Sequence, residues 1–427
     1  MDLLIKNGFV VDPANKINEV KDILIAEGKI KKISEQIKEK PKNTIDAKGK
    51  IVIPGLFDMH VHLREPGRED KETIHTGTLS ALAGGVTRVL AMPNTSPAID
   101  SLKNIELLKK IIKQNAECDV NICAAITKER NGEELVDFAQ LKNAGAVAFS
   151  DDGSSVDSAE LTDNAFKLAA EMDLLIICHC EDRQLSKNGV VNFGLTSTRM
   201  GLKGISNESE YKRIERDIGL AKKHNARIHI AHVSCKESVE IITKAKAEGL
   251  RVSCETAPHY FSLTEEDVLN YDTNKKMNPP LRSKHDLQAI KQAFKDDIID
   301  VIASDHAPHT ENEKEIEFDR AQFGIIGLET LLSVCITQLL NDNILDWKRL
   351  VEKLCLNPAR LLGLDGGTLS IGKSADIAII SPEKEWTVDK KKIISKSKNS
   401  AFLDKKLKGQ VDYTVYKGKV VHKKGDK

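Results

Sequence analysis

Ile51-Val52-Ile53-Pro54-Gly55-Leu56-Phe57-Asp58-Met59-His60-Val61-His62-Leu63-Arg64-Glu65-Pro66-Gly67 runs from a continuous apolar segment straight into two histidines, an arginine and a turn. Its first part, residues 51–57, has the length and apolar continuity of a strand buried on both faces. Seven more such runs follow, at 86–92, 120–126, 146–149, 174–178, 228–233, 251–254 and 298–303. Between them lie amphipathic stretches at helical spacing, such as 104–115, 133–143, 159–171 and 236–249. Eight strand–helix units in succession predict an α/β fold, a (β/α)8 barrel, with a doubly wound open sheet as the runner-up. No G-x-G-x-x-G follows the first of these strands, so the dinucleotide-binding version of the second fold has no support.

The chain ends have a different rhythm. Leu3-Leu4-Ile5, Gly8-Phe9-Val10-Val11 and Asp22-Ile23-Leu24-Ile25 are short strand patterns separated by Asn7-Gly8 and Glu27-Gly28 turn signals. Residues 375–380, 413–416 and 417–421 repeat that style around a Lys-Gly turn. The two ends, 1–53 and 366–427, are expected to form one small β-sandwich domain, with the barrel at 54–365 inserted between them. Lys390-Lys391-Lys392 is expected to be a solvated face.

Composition narrows the class further. A chain of 427 residues exceeds the usual single-domain size and can bury a large core. An apolar content of 40% is too high for a disordered chain. Lys plus Arg and Asp plus Glu both number 64, so no net field draws the whole protein to nucleic acid or an anionic membrane. The eight cysteines are too sparse and irregular for a secreted disulfide framework. The N-terminus, MDLLIKNGFVVDP, lacks the apolar core of a signal peptide, and no apolar run approaches the ~18–20 residues of a membrane helix. These features predict a protein of a reducing compartment, the cytoplasm.

Chemistry-bearing residues gather where a parallel barrel keeps its active site, at the C-terminal ends of strands. His60 and His62 are two apart and share one side of an extended chain, a ready imidazole pair for a metal; two half-buried histidines with local hydrogen bonds is the competing role. The fourth run ends in Phe149-Ser150-Asp151-Asp152-Gly153, where either carboxylate can ligate a metal or serve an acidic turn at Gly153. The fifth ends in Cys178-His179-Cys180-Glu181. If His179 faces the interior, Cys178 and Cys180 face the helices as small buried residues rather than thiolate ligands. In the sixth, His232 lies nearest the end, and His229, an odd number of residues away, is expected to face elsewhere in a core or helix-contact role. The eighth ends in Ser304-Asp305-His306-Ala307-Pro308-His309, which makes Asp305 a candidate ligand or general base. Nitrogen and oxygen donors of this type suit zinc, with manganese or iron as alternatives, and predict metal-assisted hydrolysis at a barrel mouth.

The motifs PGLFDMHVHLREPG (54–67), AMPNTSP (91–97), FSDDG (149–153), CHCED (178–182), AHVS (231–234), ETAPHY (255–260), MNPPLR (277–282), SDHAPH (304–309), NPAR (357–360) and KSKNSAF (396–402) span the chain. Together they resemble the amidohydrolase superfamily and, within it, the cyclic amidases of the bacterial two-domain dihydroorotase type. The resemblance implies one zinc on His60, His62 and Asp305 and a second on His179 and His232. Many relatives bridge the two with a carboxylated lysine on the fourth strand. Residues 146–152 contain no lysine, and the resemblance puts Asp152 in that place, with Asp151 as the fallback and the second zinc the weaker one. The implied reaction is the reversible cyclisation of N-carbamoyl-L-aspartate to L-dihydroorotate plus water in pyrimidine synthesis, with Asp305 carrying the proton.

The implied substrate contacts are Arg64, Asn94 and His309 to a carboxylate, and Asn278 to the ring amide. An ion pair with Glu65 or Glu69 is the competing role for Arg64. Backbone contacts are implied at Gln322, Phe323 and Gly324, where relatives read Ala-Pro-Phe-Gly and this chain reads Ala321-Gln322-Phe323-Gly324. The polar stretch 309–327 is either a mobile cover or an exposed connection. His75, His224, His229, His259, His285, His306 and His422 are left to core or surface roles. Two rivals remain: another cyclic amidase, such as a hydantoinase or allantoinase, and a catalytically dead relative acting as a scaffold, against which the retained ligand set argues. The resemblance further implies a homodimer and an association with aspartate carbamoyltransferase, with no nucleic-acid or membrane partner.

Overall fold

The computed structural model describes residues 2–425. Residues 51–57 do not form one strand. Ile51–Pro54 joins the chain-end sheet, parallel to Leu3–Asp12 and antiparallel to Ile377–Thr387, and the barrel starts only at Leu56–Val61. Gly55 is where the chain changes sheets. A Cβ there would sit 2.2 Å from the Thr87 hydroxyl oxygen, so the close approach of the second barrel strand requires glycine.

Eight parallel strands follow in sequence order, each paired with the next: Leu56–Val61, Val86–Ala91, Asp119–Ala124, Ala146–Phe149, Leu175–Cys178, Arg227–Ile230, Val252–Thr256 and Val301–Ile302. The first and last are drawn together at the seam. His62 N–H donates to the His306 carbonyl at 2.8 Å, and the Ser304 amide donates to the Asp58 carboxylate at 3.1 Å. Burial pushes Asp58 up to about 6 despite these hydrogen bonds.

The crossovers are helical because each has a cap and an apolar stripe. Ala159–Glu171 starts at Ser158, whose hydroxyl accepts the Leu161 amide, and buries Thr162, Ala165, Phe166 and Ala169, the spacing of one helical face. Ile74–Ala83, Leu102–Asn115, Phe138–Asn143 and Lys284–Lys295 begin in the same way at Thr73, Ser101, Asp137 and Ser283. Strand alternation separates two apolar layers. Phe57, Met59, Leu90, Cys123, Ala148, Leu175, Ile177 and Val301 fill the barrel interior. Val89, Ile122, Phe149, Ile176, Ile228 and Ile230 pack outward against the helices with Phe166 and Ile214. Cys178 and Cys180 belong to that outer layer, as alternation requires.

Both chain ends contribute to the second eight-stranded sheet, in which Ile17–Ala26 and Lys29–Ser34 lie on one side of Leu3–Asp12, Ile51–Pro54, Ile377–Thr387, Lys406–Tyr416 and Lys419–Lys423 on the other, and Asn43–Asp46 also pairs with Leu3–Asp12. Its core takes Ile5, Val10, Ile23 and Val52 from the N-terminal end and Ile377, Ile379 and Val415 from the C-terminal end. Lys417 (φ 49°) and Gly418 (φ 76°) make the left-handed two-residue turn that the Lys-Gly signal suggests. Lys390 and its neighbours are exposed, and Lys390 pairs with Glu311 at 2.7 Å.

Candidate active site

Four imidazoles converge on one carboxylate at the C-terminal mouth of the barrel. Asp152 Oδ1 lies 3.3 Å from His60 Nε2 and 3.6 Å from both His179 Nδ1 and His232 Nε2, and Oδ2 lies 3.4 Å from His62 Nε2. Two donor groups therefore share Asp152: His60 and His62 on one side, His179 and His232 on the other. Asp305 Oδ1 joins the first, 3.3 Å from His62 Nε2 and 3.6 Å from His60 Nε2. Asp151 is turned away. Its carboxylate accepts from the Ile126 and Thr127 amides at 2.8 and 3.1 Å and from the Thr127 hydroxyl.

The outer nitrogens of three of these rings are held by oxygens. Glu255 Oε1 lies 2.6 Å from His60 Nδ1, Asn94 Oδ1 lies 2.7 Å from His62 Nδ1, and Glu181 Oε2 lies 3.4 Å from His179 Nε2. Each places the N–H outward and the lone pair inward, which is how metal-binding histidines are oriented. Buried His60 Nε2 and Asp152 Oδ1, by contrast, have no hydrogen-bond partner. Buried lone pairs that face each other in this way suit a divalent cation.

The charges agree. Burial alone would raise Asp152, but the surrounding His60, His179 and His232 hold it well below the usual carboxylate range. Asp305 is likewise held low by His62 and His60 against its burial. Burial lowers His179, yet Asp152 and Glu181 outweigh it and bring the ring up to about 9. Positive charge is thus strongly favoured where the rings meet.

A cavity opens from this cluster, lined by His62, Arg64, Asn94, Asp152, His179, His232, Asn278, Asp305, His309, Gln322, Phe323 and Gly324. The residues predicted for metal and substrate are therefore brought together, with His60 directly behind. Arg64 makes no ion pair with Glu65 or Glu69; its Nε donates to the Pro308 carbonyl at 3.1 Å and its Nη2 lies 3.2 Å from His309 Nε2. Asn278 donates to Glu181 Oε2 at 2.9 Å, so its amide is tied to the His179 side of the site.

The stretch 309–327 exposes side chains at 311, 312, 315–317, 319, 320 and 322, as a surface connection does, but its backbone is anchored from within. Lys314 Nζ donates to the Gln322 and Gly324 carbonyls at 2.8 and 3.0 Å, and Lys276 Nζ to the Phe318, Asp319 and Ala321 carbonyls at 2.8, 3.0 and 2.6 Å. Both lysines are 2% exposed. They gather the carbonyls of the segment that carries Gln322, Phe323 and Gly324 to the cavity.

The family of this chain follows from comparison with known proteins. Residues 49–238 match the family model described as dihydro-orotase-like. A dihydroorotase of Elusimicrobium minutum (strain Pei191) is 51% identical over 420 residues, covering 98% of this chain and 97% of that protein. The chain belongs to the dihydroorotase family. A second dihydroorotase, from Geotalea daltonii, is 49% identical over 99% of this chain and all of the relative. Among solved structures, the L-hydantoinase of Arthrobacter aurescens superposes with a TM-score of 0.90 at 28% identity, over 100% of this chain and 97% of that one. The dihydropyrimidinase of Brevibacillus agri NCHU1002, at 0.86 and 22% identity over 99% of this chain and 95% of that one, shares the fold.

Within this dihydroorotase-family site, three kinds of residue escaped the sequence reading. His229 does not face away: its Nε2 lies 3.2 Å from Glu255 Oε2 and its Nδ1 lies 2.8 Å from Ser253 Oγ, in the barrel interior. It buttresses the carboxylate that holds His60. Glu255 itself opens the ETAPHY motif, and alternation from outward Cys254 would have aimed it inward. Lys71 and Arg130 also line the cavity, on loops where no periodicity points to them. His306 is structural, with Nδ1 accepting the Gly327 amide at 3.2 Å and Nε2 3.5 Å from Glu72.

Proposed function

We propose that this enzyme, a hydrolase acting on a cyclic amide, is a zinc-dependent dihydroorotase that interconverts N-carbamoyl-L-aspartate and L-dihydroorotate in pyrimidine synthesis. The observation that carries the reading is one cavity in which Asp152, ringed by four imidazoles, faces a cradle of Arg64 and His309 suited to a carboxylate. His60, His62 and Asp305 would hold one zinc, and His179 and His232 a second, with Asp152 shared between them. When bound, such ions polarise the reacting carbonyl and make water acidic enough to attack at neutral pH.

The chain's own residues do the rest. Arg64 takes the substrate carboxylate in its planar fork, with Asn94 and His309 beside it. Asn278 meets the ring amide, and the backbone of Gln322, Phe323 and Gly324 closes the far wall. Asp305, kept ionised by His62, takes the proton of the attacking water and passes it to the leaving ring nitrogen. Ring closure reverses these steps with loss of water.

The wider reading includes a β domain from residues 1–53 and 366–427 around a catalytic barrel at 54–365, which the sheet order supports. It also includes a cytoplasmic location, supported by eight free buried cysteines and by the absence, among the described residues, of a helix long and apolar enough to cross a membrane. A homodimer and an association with aspartate carbamoyltransferase complete it; light scattering, alone and with that partner added, tests both. The decisive assay offers the metal-loaded enzyme dihydroorotate, hydantoin and allantoin. Ring opening of dihydroorotate is expected. Turnover of hydantoin or allantoin with none of dihydroorotate would overturn the proposal, and metal-free inactive protein that zinc cannot restore would point to a scaffold.

A further inference from the structure

His309 stands between two cations and a carboxylate. Its Nε2 lies 3.2 Å from Arg64 Nη2, and its Nδ1 lies 3.1 Å from Lys71 Nζ and 3.2 Å from Glu313 Oε2. Lys71 lines the active-site cavity at 5% exposure, and its ammonium is 2.8 Å from Glu313 Oε1. The backbone N–H of His309 is fixed on Asn399 Oδ1 at 3.1 Å. Burial, reinforced by the Arg64 and Lys71 charges, pulls the His309 ring down to about 2, so it is neutral and carries one N–H.

That one proton has two possible homes, and its neighbours decide between them. Arg64 is donor-only, so Nε2 facing it must offer a lone pair. The proton then sits on Nδ1 and is donated to Glu313. A substrate carboxylate bound by Arg64 reverses the demand, because an anionic oxygen can only accept. Nε2 must then carry the proton, and Nδ1 needs a donor. Lys71 Nζ is the donor within reach. The Lys71–Glu313 pair thus presents Nδ1 with an acceptor and a donor side by side.

We infer that Lys71 is a positioning residue: together with Glu313 it lets His309 pass from its Nδ1–H to its Nε2–H form when the substrate carboxylate docks, and so sets selectivity for rings that carry that carboxylate. The ring's charge is unchanged, one proton leaving Nδ1 to solvent and one reaching Nε2 from solvent. The inference rests on the reading that Arg64 and His309 receive the carboxylate.

The test uses zinc-loaded enzyme and ¹⁵N-histidine spectra, free and at equilibrium with saturating dihydroorotate. The protonated-type and lone-pair-type shifts of His309 should exchange between Nδ1 and Nε2 on binding. Lys71→Met, which keeps the stem and loses the ammonium, should raise KM for dihydroorotate about tenfold with a smaller loss in kcat, as expected for one lost hydrogen bond. Lys71→Arg should recover most of it. Turnover of 5,6-dihydrouracil, which lacks the carboxylate, should not follow this pattern. In a His309→Ala background, Lys71→Met should add nothing. Melting temperature and zinc content identify any variant that has merely lost its fold, and Lys71→Arg with the spectra then decides. The same His309 tautomer in free and bound enzyme, an unchanged KM in Lys71→Met, or a full Lys71 effect without His309 would overturn the inference. Wild-type enzyme inert toward dihydroorotate would instead overturn the functional reading.

Discussion

Replacing Glu255 by Gln tests whether the buried carboxylate behind His60 tunes the metal site. Glu255 Oε1 accepts from His60 Nδ1 at 2.6 Å, with the His60 ring 0% and Glu255 1% exposed. The short bond is charge-assisted and worth roughly 1.5–3 kcal/mol, against about 0.5–1.5 kcal/mol for its neutral counterpart. Glutamine has the same shape, and its carbonyl can still accept from His60. Its amide N–H can donate to His229 Nε2 once that ring turns to the tautomer that donates from Nδ1 to Ser253 Oγ, 2.8 Å away. The fold therefore survives, and the loss is the charge alone, about 1.4 kcal/mol or tenfold in metal affinity. The assay is competition for zinc against a chromophoric chelator, with ring-opening activity recovered at excess zinc. Parent-like affinity in a normally melting Glu255→Gln protein would refute the reasoning, as would activity that excess zinc fails to restore.

Asp305→Ala should cut turnover in both directions by at least about 100-fold while the circular dichroism spectrum stays unchanged, and near-normal activity would remove Asp305 from the proton path. In chelator-treated protein His179 is raised to about 9 by Asp152 and Glu181 against its burial. A raised histidine stabilises fully below its ordinary value near 6.5 and loses that contribution as pH climbs through about 9, at most about 3 kcal/mol. Metal-free protein should therefore melt a few degrees lower at pH 9 than at pH 6.5, and zinc uptake should release protons, seen as a buffer-dependent calorimetric heat. Equal melting temperatures across that window would refute this. Lys314→Met strands the Gln322 carbonyl, at about 1–3 kcal/mol if it stays dry, and leaves the Gly324 carbonyl to Asn399 alone, so amide exchange at 318–325 should quicken and KM should rise several-fold. Unchanged exchange would show that other contacts hold the segment.

What the sequence discloses about this site, and what it hides, divides along the backbone. Alternation is enough on the fourth and fifth strands. Ala148 points inward, so Ser150 and Asp152 follow, and Asp151 is excluded by parity; Leu175 and Ile177 lead in the same way to His179. Elsewhere the donors are out of phase with the strand that carries them. Phe57 and Met59 point into the barrel, which would turn His60 away, but the register with the second strand slips between Asp58 and Val61 and resets the phase. On the sixth strand Ala231 and His229 share the interior, and His232 reaches the mouth only through a left-handed backbone, φ 37°. Asp305 is similarly held at φ 50° and Arg64 at φ 63°. For residues with a Cβ these conformations cost energy, and they persist because the surrounding structure imposes them. A period-two reading thus aims Asp152, His179 and Glu255 inward but turns His60 away and misassigns His229, and it cannot see Lys71, whose partner lies 238 residues away. Two donors, His232 and Asp305, sit at such positions because a regular strand end offers one inward side chain at every second residue. Bringing four imidazoles within 4 Å of one carboxylate, with a second carboxylate beside two of them, demands that the chain break its own repeat where the chemistry is.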